Sequence, residues 1–328
     1  GTFGVGPMVI AMAWGMLMAA VAWWAIERRA AVHPVGRPGG VPGAVPTLFP
    51  LVTHMNRAAS PFFDLTGRIA VVSGAASGMG RAASLALAAH GATVVMLDRD
   101  EAGLAASAGE SASAGGRSVP RVHDTSSVEA ARRLFEWIDG EFGRVDFLAN
   151  IAGDGLMADP LAITAEQIRT VLENLVVGRF AHCREAAMRM FRRGGGSIVN
   201  IGSIGGVSSL GRGHIAYAMA MGAVAQMTRE LSTEWAPRGI RVNAILPAQV
   251  MNPGLEKRIA ADPAMEHKWL SGIPRGRLGR PEDIQGLIVL LASDASAWIT
   301  GALIPMDGGN LAMNAGGTMG PSTAGDEA

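Results

Sequence analysis

The sequence predicts an α/β fold, a doubly wound parallel sheet in one domain that is preceded by a single transmembrane helix. Three observations lead to this prediction. From Phe62 onward, short apolar runs alternate with longer stretches of helical periodicity, the pattern of a parallel sheet covered by helices. A glycine-rich turn joins the first apolar run to the first helical stretch. Ahead of these elements, the 22 residues from Val5 to Ile26 carry no charge.

The composition is that of one large domain with an additional apolar segment. The chain has 328 residues with 28 basic and 28 acidic side chains, so no net field attracts nucleic acid, and we predict no nucleic-acid partner. A hydrophobic share of 49% is high for a soluble protein and favours a membrane segment. Cys183 is the only cysteine, which excludes an internal disulfide. The seven histidines are scattered without ligand spacing, so no metal site is predicted.

The uncharged stretch from Val5 to Ile26 is long enough to cross a bilayer as a helix. It ends near Trp23 and Trp24, which suit a membrane interface, and Arg28 and Arg29 then favour a cytoplasmic location for the C-terminal side. A cleaved signal peptide is the alternative, but a basic n-region and a small-residue cleavage site are not evident. We therefore predict a single-pass membrane protein that contacts lipid through this stretch, with its N-terminus outside and its folded domain on the cytoplasmic side.

A linker rich in proline and glycine follows the predicted span. Its prolines recur at every fourth position from Pro34 to Pro50, which no helix tolerates, so we predict an extended tether. The predicted organisation of the chain is a transmembrane helix with its flanks at 1–29, the linker at 30–60, the folded domain at 61–310 and a flexible tail at 311–328.

Seven apolar runs in the folded domain have the length of buried strands. They are Ile69–Val72, Thr93–Leu97, Ser118–Val122, Val145–Ala149, Ser197–Ile201, Arg241–Leu246 and Ala302–Met306. Pro120 lies within the third run, and because proline lacks an N–H it predicts that this run is an edge strand. Helical stretches fall between the runs, and the two longest cover 165–192 and 215–236.

The glycine-rich turn after the first run predicts a dinucleotide-binding site. Gly74, Gly78 and Gly80 let the backbone approach a pyrophosphate closely, and the N-terminus of the following helix offers free N–H groups. Asp98 ends the second run, near the spacing expected for a carboxylate that binds ribose hydroxyls. Such a carboxylate disfavours a 2′-phosphate, so we predict NAD(H) over NADP, while the neighbouring Arg99 keeps NADP open. A surface aspartate after a strand is the alternative for Asp98.

The domain carries a series of short motifs in one order. They are Ser73-Gly74-Ala75-Ala76-Ser77-Gly78-Met79-Gly80, Asp98, Asp124-Thr125, Asn150-Ile151-Ala152-Gly153, Asn174, Ser197-Ile198-Val199-Asn200-Ile201-Gly202-Ser203, Tyr217, Arg241-Val242-Asn243, Pro281-Glu282-Asp283 and Asp307-Gly308-Gly309. Together they resemble the motifs of the short-chain dehydrogenase/reductase family. The resemblance implies a single-domain Rossmann fold with a seven-stranded parallel sheet, a nicotinamide cofactor, and hydride exchange between an alcohol and a carbonyl.

The resemblance also implies roles for individual residues. Asn174 would hold a water in a proton relay, Ser203 would hydrogen-bond the substrate carbonyl, and Tyr217 would act as general acid or base. The cofactor-binding residues that it implies are Gly74, Ser77, Gly78, Gly80, Asp98, Asp124, Asn150, Gly153, Pro247 and Asn252. Such a set suits hydride transfer, because hydrogen-bond donors stabilise the oxygen whose charge changes.

Two positions depart from the family pattern. The family has a Lys four residues after its Tyr, which hydrogen-bonds the nicotinamide ribose and favours the ionised phenol, whereas this chain has Met221. Met221 has no charge for either task, so we expect impaired catalysis. After the sixth strand the family has Pro-Gly and then a Thr that contacts the nicotinamide. This chain has Pro247-Ala248 and then Asn252, whose side-chain amide can still make that contact.

These observations leave two functional interpretations open. The first is a membrane-anchored, NAD(H)-dependent alcohol/carbonyl oxidoreductase whose catalysis Met221 impairs. The second is a non-catalytic structural or accessory subunit of a membrane protein complex of the electron-transport or photosynthetic type. In the second, the nucleotide site binds NAD(H) or no cofactor at all. We expect other membrane-protein subunits as partners, and we also predict a homo-oligomer through the helices 165–192 and 215–236.

Overall fold

The computed structural model describes residues 61–313, which form one parallel sheet of seven strands in the order β3-β2-β1-β4-β5-β6-β7. The strands are β1 (Ile69–Ser73), β2 (Thr93–Asp98), β3 (Arg117–Val122), β4 (Phe147–Asn150), β5 (Gly196–Ile201), β6 (Ile240–Pro247) and β7 (Leu303–Met306). The predicted single Rossmann-type domain is confirmed, and each predicted run overlaps one strand. The predicted edge strand is also confirmed, because Pro120 lies in β3 at one end of the sheet.

Nine α-helices connect these strands within residues 61–313. They are α1 (Gly78–Ala89), α2 (Glu101–Ser113), α3 (Val128–Phe142), α4 (Ala165–Leu172), α5 (Gly178–Arg192), α6 (Ile215–Trp235), α7 (Pro253–Ala261), α8 (Ala264–Leu270) and α9 (Gln285–Ala292). From β1 the chain first builds the sheet in one direction, through β2 to β3, and then returns to the other side of β1 with β4. This reversal creates a crevice at the carboxyl ends of β1 and β4, where open α/β sheets bind their ligands.

Helices cover both faces of the sheet, which explains why its strands are continuous apolar runs. Val72 and Met96 pack into a core on one face, formed with α1 and α9. Val71 and Leu97 pack into a second core on the other face, formed with α3 and α5. Successive side chains of a strand point to opposite faces of the sheet. Because helices cover both faces, the side chains on each face are buried.

The predicted helix over 165–192 is present but is not uniform. Between α4 and α5 lies a π-helical segment, Glu173–Val177. Such a segment contains an extra residue in one turn, and insertions of this kind often lie at functional sites. A Cβ added at Gly178 would overlap the carbonyl oxygen of Thr125, so α5 starts close against the loop after β3. The other long helix, predicted over 215–236, is confirmed as α6.

Several predictions concern residues outside the described range. The transmembrane helix at 5–26 and the linker at 30–60 precede it, and the tail from 314 onward follows it. Within 61–313, no helix combines the length and the apolar character that crossing a membrane requires. The longest, α6, has three charged side chains in its last two turns. The predicted domain boundaries stay predictions.

Candidate active site

A cavity of about 850 Å³ opens at the carboxyl edge of the sheet. Its walls come from the segments that follow β4, β5 and β6, from the start of α6, and from α7 and α8. The predicted site residues that line it are Gly153, Ser203, Tyr217, Met221, Pro247 and Asn252. The sequence therefore predicted much of one cavity wall, although these residues come from four separate segments of the chain.

The glycine-rich turn reaches the same cavity, since Met79 forms part of its wall. Gly74 has φ +73°, a conformation that residues with side chains rarely adopt. A Cβ added at Gly80 would overlap the carbonyl oxygen of Gly74, so only glycine lets α1 begin this close to β1. Helix α1 begins at Gly78, and the side chain of its N-cap, Ser77, makes no capping hydrogen bond. The first amides of α1 are therefore available to an anion such as a pyrophosphate.

Asp98, the last residue of β2, holds this turn in place. Its Oδ2 accepts the N–H of Ala76 at 3.1 Å, and its Oδ1 accepts those of Arg99 at 2.7 Å and Asp100 at 3.1 Å. A carboxylate offers about four acceptor positions, so these bonds leave room for a hydroxyl group. The Arg99 guanidinium lies 3.3 Å from the carboxylate of Asp154 on the surface. The glycine-rich turn, the α1 amides and the Asp98 carboxylate together fit a dinucleotide.

Two other predicted cofactor residues already hold structural hydrogen bonds. Asp124 Oδ1 accepts the N–H of Ser126 at 3.0 Å and the hydroxyl of the same residue at 2.8 Å. These bonds hold the pKa of the Asp124 carboxyl below its usual value. Asn252 is the N-cap of α7, because its Oδ1 accepts the N–H of Leu255 at 3.0 Å. Their contacts with a cofactor stay predictions.

The side chain of Asn150 lies in the protein interior and does not line the cavity. Its Nδ2 donates to Asn200 Oδ1 at 2.9 Å and lies 3.2 Å from Cys183 Sγ. Asn200 in turn donates to Thr228 Oγ1 at 3.1 Å. This buried network connects β4 to β5 and to α6, so the side chain of Asn150 has a structural role. The backbone turn that begins at Asn150 leads to the cavity.

Ser203 follows β5 and Tyr217 lies in the first turn of α6, and both line the cavity. Ser203 is 6% exposed, and its Oγ accepts the N–H of Gly205 at 3.1 Å, which leaves the hydroxyl hydrogen free to donate. The ring of Tyr217 packs on the backbone of Gly155, where an added Cβ would lie 2.5 Å from Cδ2. The imidazole of His214 meets the ring edge-to-face, with centroids 6.2 Å apart. These contacts hold the phenol in the cavity wall.

Asn174 lies in the π-helical segment and is not part of the cavity wall. Its Nδ2 donates to the carbonyl oxygen of Asp154 at 3.1 Å and so tethers the loop between β4 and α4. The structure therefore does not bring Asn174 into the wall that contains Ser203 and Tyr217. Its predicted part in a proton relay stays a prediction.

Met221 lies one turn beyond Tyr217 on the same face of α6, as its spacing predicts. It is 1% exposed, and it presents an uncharged thioether to the cavity. The arginines and lysines in the cavity wall are Arg179, Arg212, Arg258 and Lys268. Of these four, Arg179 is buried and the other three are exposed.

Arg179, in the first turn of α5, is the residue of this site that sequence reasoning missed. Its Nη2 donates to the carbonyl oxygen of Ala152 at 3.0 Å and its Nη1 donates to that of Ile201, so the guanidinium bridges the ends of β4 and β5. Its Nε has no hydrogen-bond partner among residues 61–313. Burial lowers the pKa of Arg179 to about 10, against the opposing influence of Tyr217 and Cys183. The group therefore remains cationic at neutral pH.

The sequence does contain a signal for Arg179. The residue lies four positions after Leu175 and four before Cys183, which are both buried apolar positions on one helical face. Arginine is almost never fully buried unless it is paired. An arginine within such a face therefore indicates either a buried partner or a functional site.

Comparisons with known proteins assign the family. A family model described as enoyl-(acyl carrier protein) reductase matches residues 74–310. Galactitol 2-dehydrogenase (L-tagatose-forming) of Cereibacter sphaeroides is 37% identical over 250 residues, which is 75% of this chain and 96% of that protein. NAD-dependent glycerol dehydrogenase of Listeria innocua is 34% identical over 249 residues, which is 75% of this chain and 95% of that protein.

A solved structure extends the comparison to the fold. It is a putative 2-deoxy-D-gluconate 3-dehydrogenase from Agrobacterium tumefaciens with bound NADP, which matches with a TM-score of 0.71 at 33% identity over 77% of this chain and 100% of its own. The fold, the glycine-rich turn and these relatives define an oxidoreductase of the NAD(P)-dependent class. The chain belongs to the short-chain dehydrogenase/reductase family.

The predicted localisation, a single-pass membrane protein with its Rossmann domain on the cytoplasmic side, is contradicted by these findings. The galactitol dehydrogenase is matched over 96% of its length and the solved structure over 100% of its length, which leaves no counterpart of a membrane span in either. The prediction was wrong because it relied on local hydropathy and on the arginines beyond the apolar stretch.

Proposed function

We propose that this protein is an oxidoreductase that interconverts an alcohol and a carbonyl compound, with NAD(H) as its cofactor. The observation that carries the proposal is the cavity wall, in which Ser203, Tyr217 and the cationic Arg179 lie beside the glycine-rich turn. Hydride transfer changes the charge on the substrate oxygen, and donors positioned around that oxygen stabilise the change. Membership of the family supports the same class of reaction.

Ser203 and Tyr217 have separate tasks in this proposal. Ser203 donates a hydrogen bond from Oγ to the substrate oxygen and holds it next to the phenol. Tyr217 gives a proton to that oxygen when a carbonyl is reduced and takes one from it when an alcohol is oxidised. The cofactor, when bound, supplies or accepts the hydride. The lid helices α7 and α8 contribute Leu255 and Trp269, whose apolar cluster keeps water away from the reacting atoms.

The end of β2 supports NAD(H) as the preferred cofactor. The carboxylate of Asp98 lies where a ribose hydroxyl would bind, and its charge would repel a 2′-phosphate. Arg99 is the nearest residue along the chain that would favour such a phosphate, but its guanidinium is already paired with Asp154. Family relatives use both cofactors, since one is named for NAD and another holds NADP, so the preference of this chain depends on these side chains.

We expect Asp98→Asn to lower the preference for NAD over NADP by about tenfold or more. Like charges about 4 Å apart repel by ~1–4 kcal/mol near a surface, and the amide removes that repulsion. Its oxygen can keep the bonds from Arg99 and Asp100, and the bond from Ala76 is lost for both cofactors alike. The measurement is the ratio of kcat/KM for the two cofactors at a fixed alcohol concentration. Asp100→Asn is the control, because Asp100 caps α2 and asparagine caps a helix equally well. An unchanged ratio in Asp98→Asn would contradict this assignment.

A second function is favoured by one observation, the uncharged Met221 in the cavity wall. In this alternative the chain binds the nucleotide as a structural element and acts as an accessory subunit without turnover. The impaired catalysis that the sequence predicts from Met221 belongs to the oxidoreductase, whereas this alternative has no turnover at all. It requires that Arg179 does not compensate for the missing charge.

Initial rates of the purified full chain distinguish the two functions. The assay follows reduction of NAD⁺ or NADP⁺ with galactitol, glycerol and a series of apolar secondary alcohols, and calorimetry follows NADH binding. Turnover that depends on the alcohol supports the oxidoreductase. Nucleotide binding without turnover, in the native protein and after Met221→Lys, supports the accessory function. Absence of NADH binding up to millimolar concentration contradicts the NAD(H)-dependent oxidoreductase and leaves the accessory subunit without a cofactor.

A further inference from the structure

The buried charged group of the cavity wall, the guanidinium of Arg179, has no task in the reaction described so far. We propose that Arg179 is a positioning residue that supplies positive charge to the ionised form of Tyr217. In the family a lysine has this task, and Met221, which stands at its position in this chain, carries no charge. The inference rests on the proposed function, because it explains how the phenol takes part in proton transfer. Three observations support it, and they concern the pairing, the location and the surroundings of this arginine.

The pairing of Arg179 differs from that of the other arginines in α5. Those three form ion pairs, Arg184 with Glu185 at 3.2 Å, Arg189 with Glu185 at 2.6 Å and with Asp139 at 2.8 Å, and Arg192 with Asp139 at 3.6 Å. In the described part of the chain, Arg179 makes no such pair and donates to two backbone carbonyls instead. A buried cation without an anionic partner is unfavourable, so its presence indicates a partner that becomes anionic during function.

The location of Arg179 identifies that partner. Its guanidinium is held at the carboxyl edge of the sheet, and it shares a cavity wall with Tyr217 and Met221. Gly153 leaves room for it, since an added Cβ there would lie 3.1 Å from Nη2. Burial lowers the pKa of Arg179, and the charge of an ionised Tyr217 raises it, so the two groups lie within reach of each other's field. The ring of Tyr217 packs on Gly155, two residues further along the same loop, so the guanidinium and the phenol contact the same short segment.

The surroundings of Tyr217 contain other charged groups, but solvent screens most of them. Those in the cavity wall are Asp154 after β4, Arg212 and His214 before α6, and Arg258, Asp262 and Lys268 from the lid helices. The neighbouring α4 and the π-helical segment add Glu166, Arg169 and Glu173. All of these are exposed except His214, which is half-buried. Arg179 is the buried cation of the set, so its field at the phenol is the least screened.

A titration of the phenol tests the inference directly, because Tyr217 is the only tyrosine of the chain. In the full chain labelled with ¹³Cζ-tyrosine, a single resonance reports conversion of the phenol to the phenolate. We expect Arg179→Met and Arg179→Gln each to move this transition to higher pH by about one unit or more. The glutamine variant removes the charge and keeps one amide nitrogen as a donor toward the strand-end carbonyls. Arg179→Lys keeps the charge, and we expect a transition close to that of the native protein.

Two further variants control for structural effects. Arg184→Met removes an exposed arginine from the opposite side of the same helix, and we expect an unchanged transition. The double variant Arg179→Met/Met221→Lys restores a positive charge one turn beyond Tyr217, and we expect the transition to return toward its native pH. The inference is overturned if folded Arg179→Met or Arg179→Gln protein titrates at the native pH.

The titration uses neither cofactor nor substrate, so its result is separate from that of the turnover assay. A displaced transition in a protein without turnover would support the charge pairing and contradict the proposed oxidoreductase. An undisplaced transition in a protein that does turn over would contradict the pairing alone. If both proposals hold, the pH at which kcat rises is displaced by the same amount as the phenol transition in Arg179→Met.

Discussion

Tyr217→Phe is expected to lower kcat by about 10²–10⁴-fold and to leave KM for the alcohol nearly unchanged. Phenylalanine retains the ring that packs on Gly155 and meets the imidazole of His214, so the wall keeps its shape. The variant loses only the group that gives and takes the proton. Initial rates of the purified variant measure the effect, and a thermal midpoint within a few degrees of that of the native protein establishes that the fold is intact.

Ser203→Ala provides a companion measurement, because its hydroxyl donates to the same substrate oxygen. We expect a comparable loss, and little further loss in the double variant, since two groups that act as a unit are not additive. Ser208→Ala is the matched control: its hydroxyl donates to the carbonyl oxygen of Ile204 at 3.0 Å and lies outside the cavity wall. Native rates in Tyr217→Phe would contradict the proton-transfer role of Tyr217 and require another acid in the cavity.

The fold was predictable because its signals are local and repeated. In β1 and β2 both faces are buried, so the strands appear in the sequence as continuous apolar runs bounded by turns. The glycines at positions 74 and 80, between a strand and a helix, predicted a tight turn. In the structure α1 begins close against β1 at this turn. The π-helical segment at 173–177 was not predictable, because its residues have the same apolar pattern as the regular helix on either side.

The site was predictable only where a residue's chemistry does not depend on a distant partner. Ser203 and Tyr217 were found from the motifs in which they lie, and they share one wall. The bond from the side chain of Asn150 to Asn200, fifty positions away, was not predicted, and the contact of Asn150 with a cofactor stays a prediction. Arg179 was missed although its helical spacing indicates burial, because that spacing does not identify its partners, which are carbonyl groups at the ends of two distant strands.

Gly80→Ala is expected to lower the free energy of unfolding by about 3 kcal/mol or more and to abolish NADH binding. An added Cβ would overlap the carbonyl oxygen of Gly74 and lie 3.0 Å from the amide nitrogen of Ala75. Both are backbone atoms of the turn, and they can move only if α1 moves away from β1. That movement displaces the amides on which the pyrophosphate would rest. Urea unfolding and calorimetric titration with NADH measure the two effects.

Gly109→Ala separates this clash from the general effect of adding a methyl group to a helix. Gly109 lies within α2, and an added Cβ there meets no atom within 4 Å. Alanine is preferred to glycine inside a helix by about 0.5–1 kcal/mol, so we expect slightly higher stability and native NADH affinity. A Gly80→Ala protein with native stability and affinity would show that the turn tolerates a side chain. The close approach of α1 to β1 would then not be what prepares the nucleotide site.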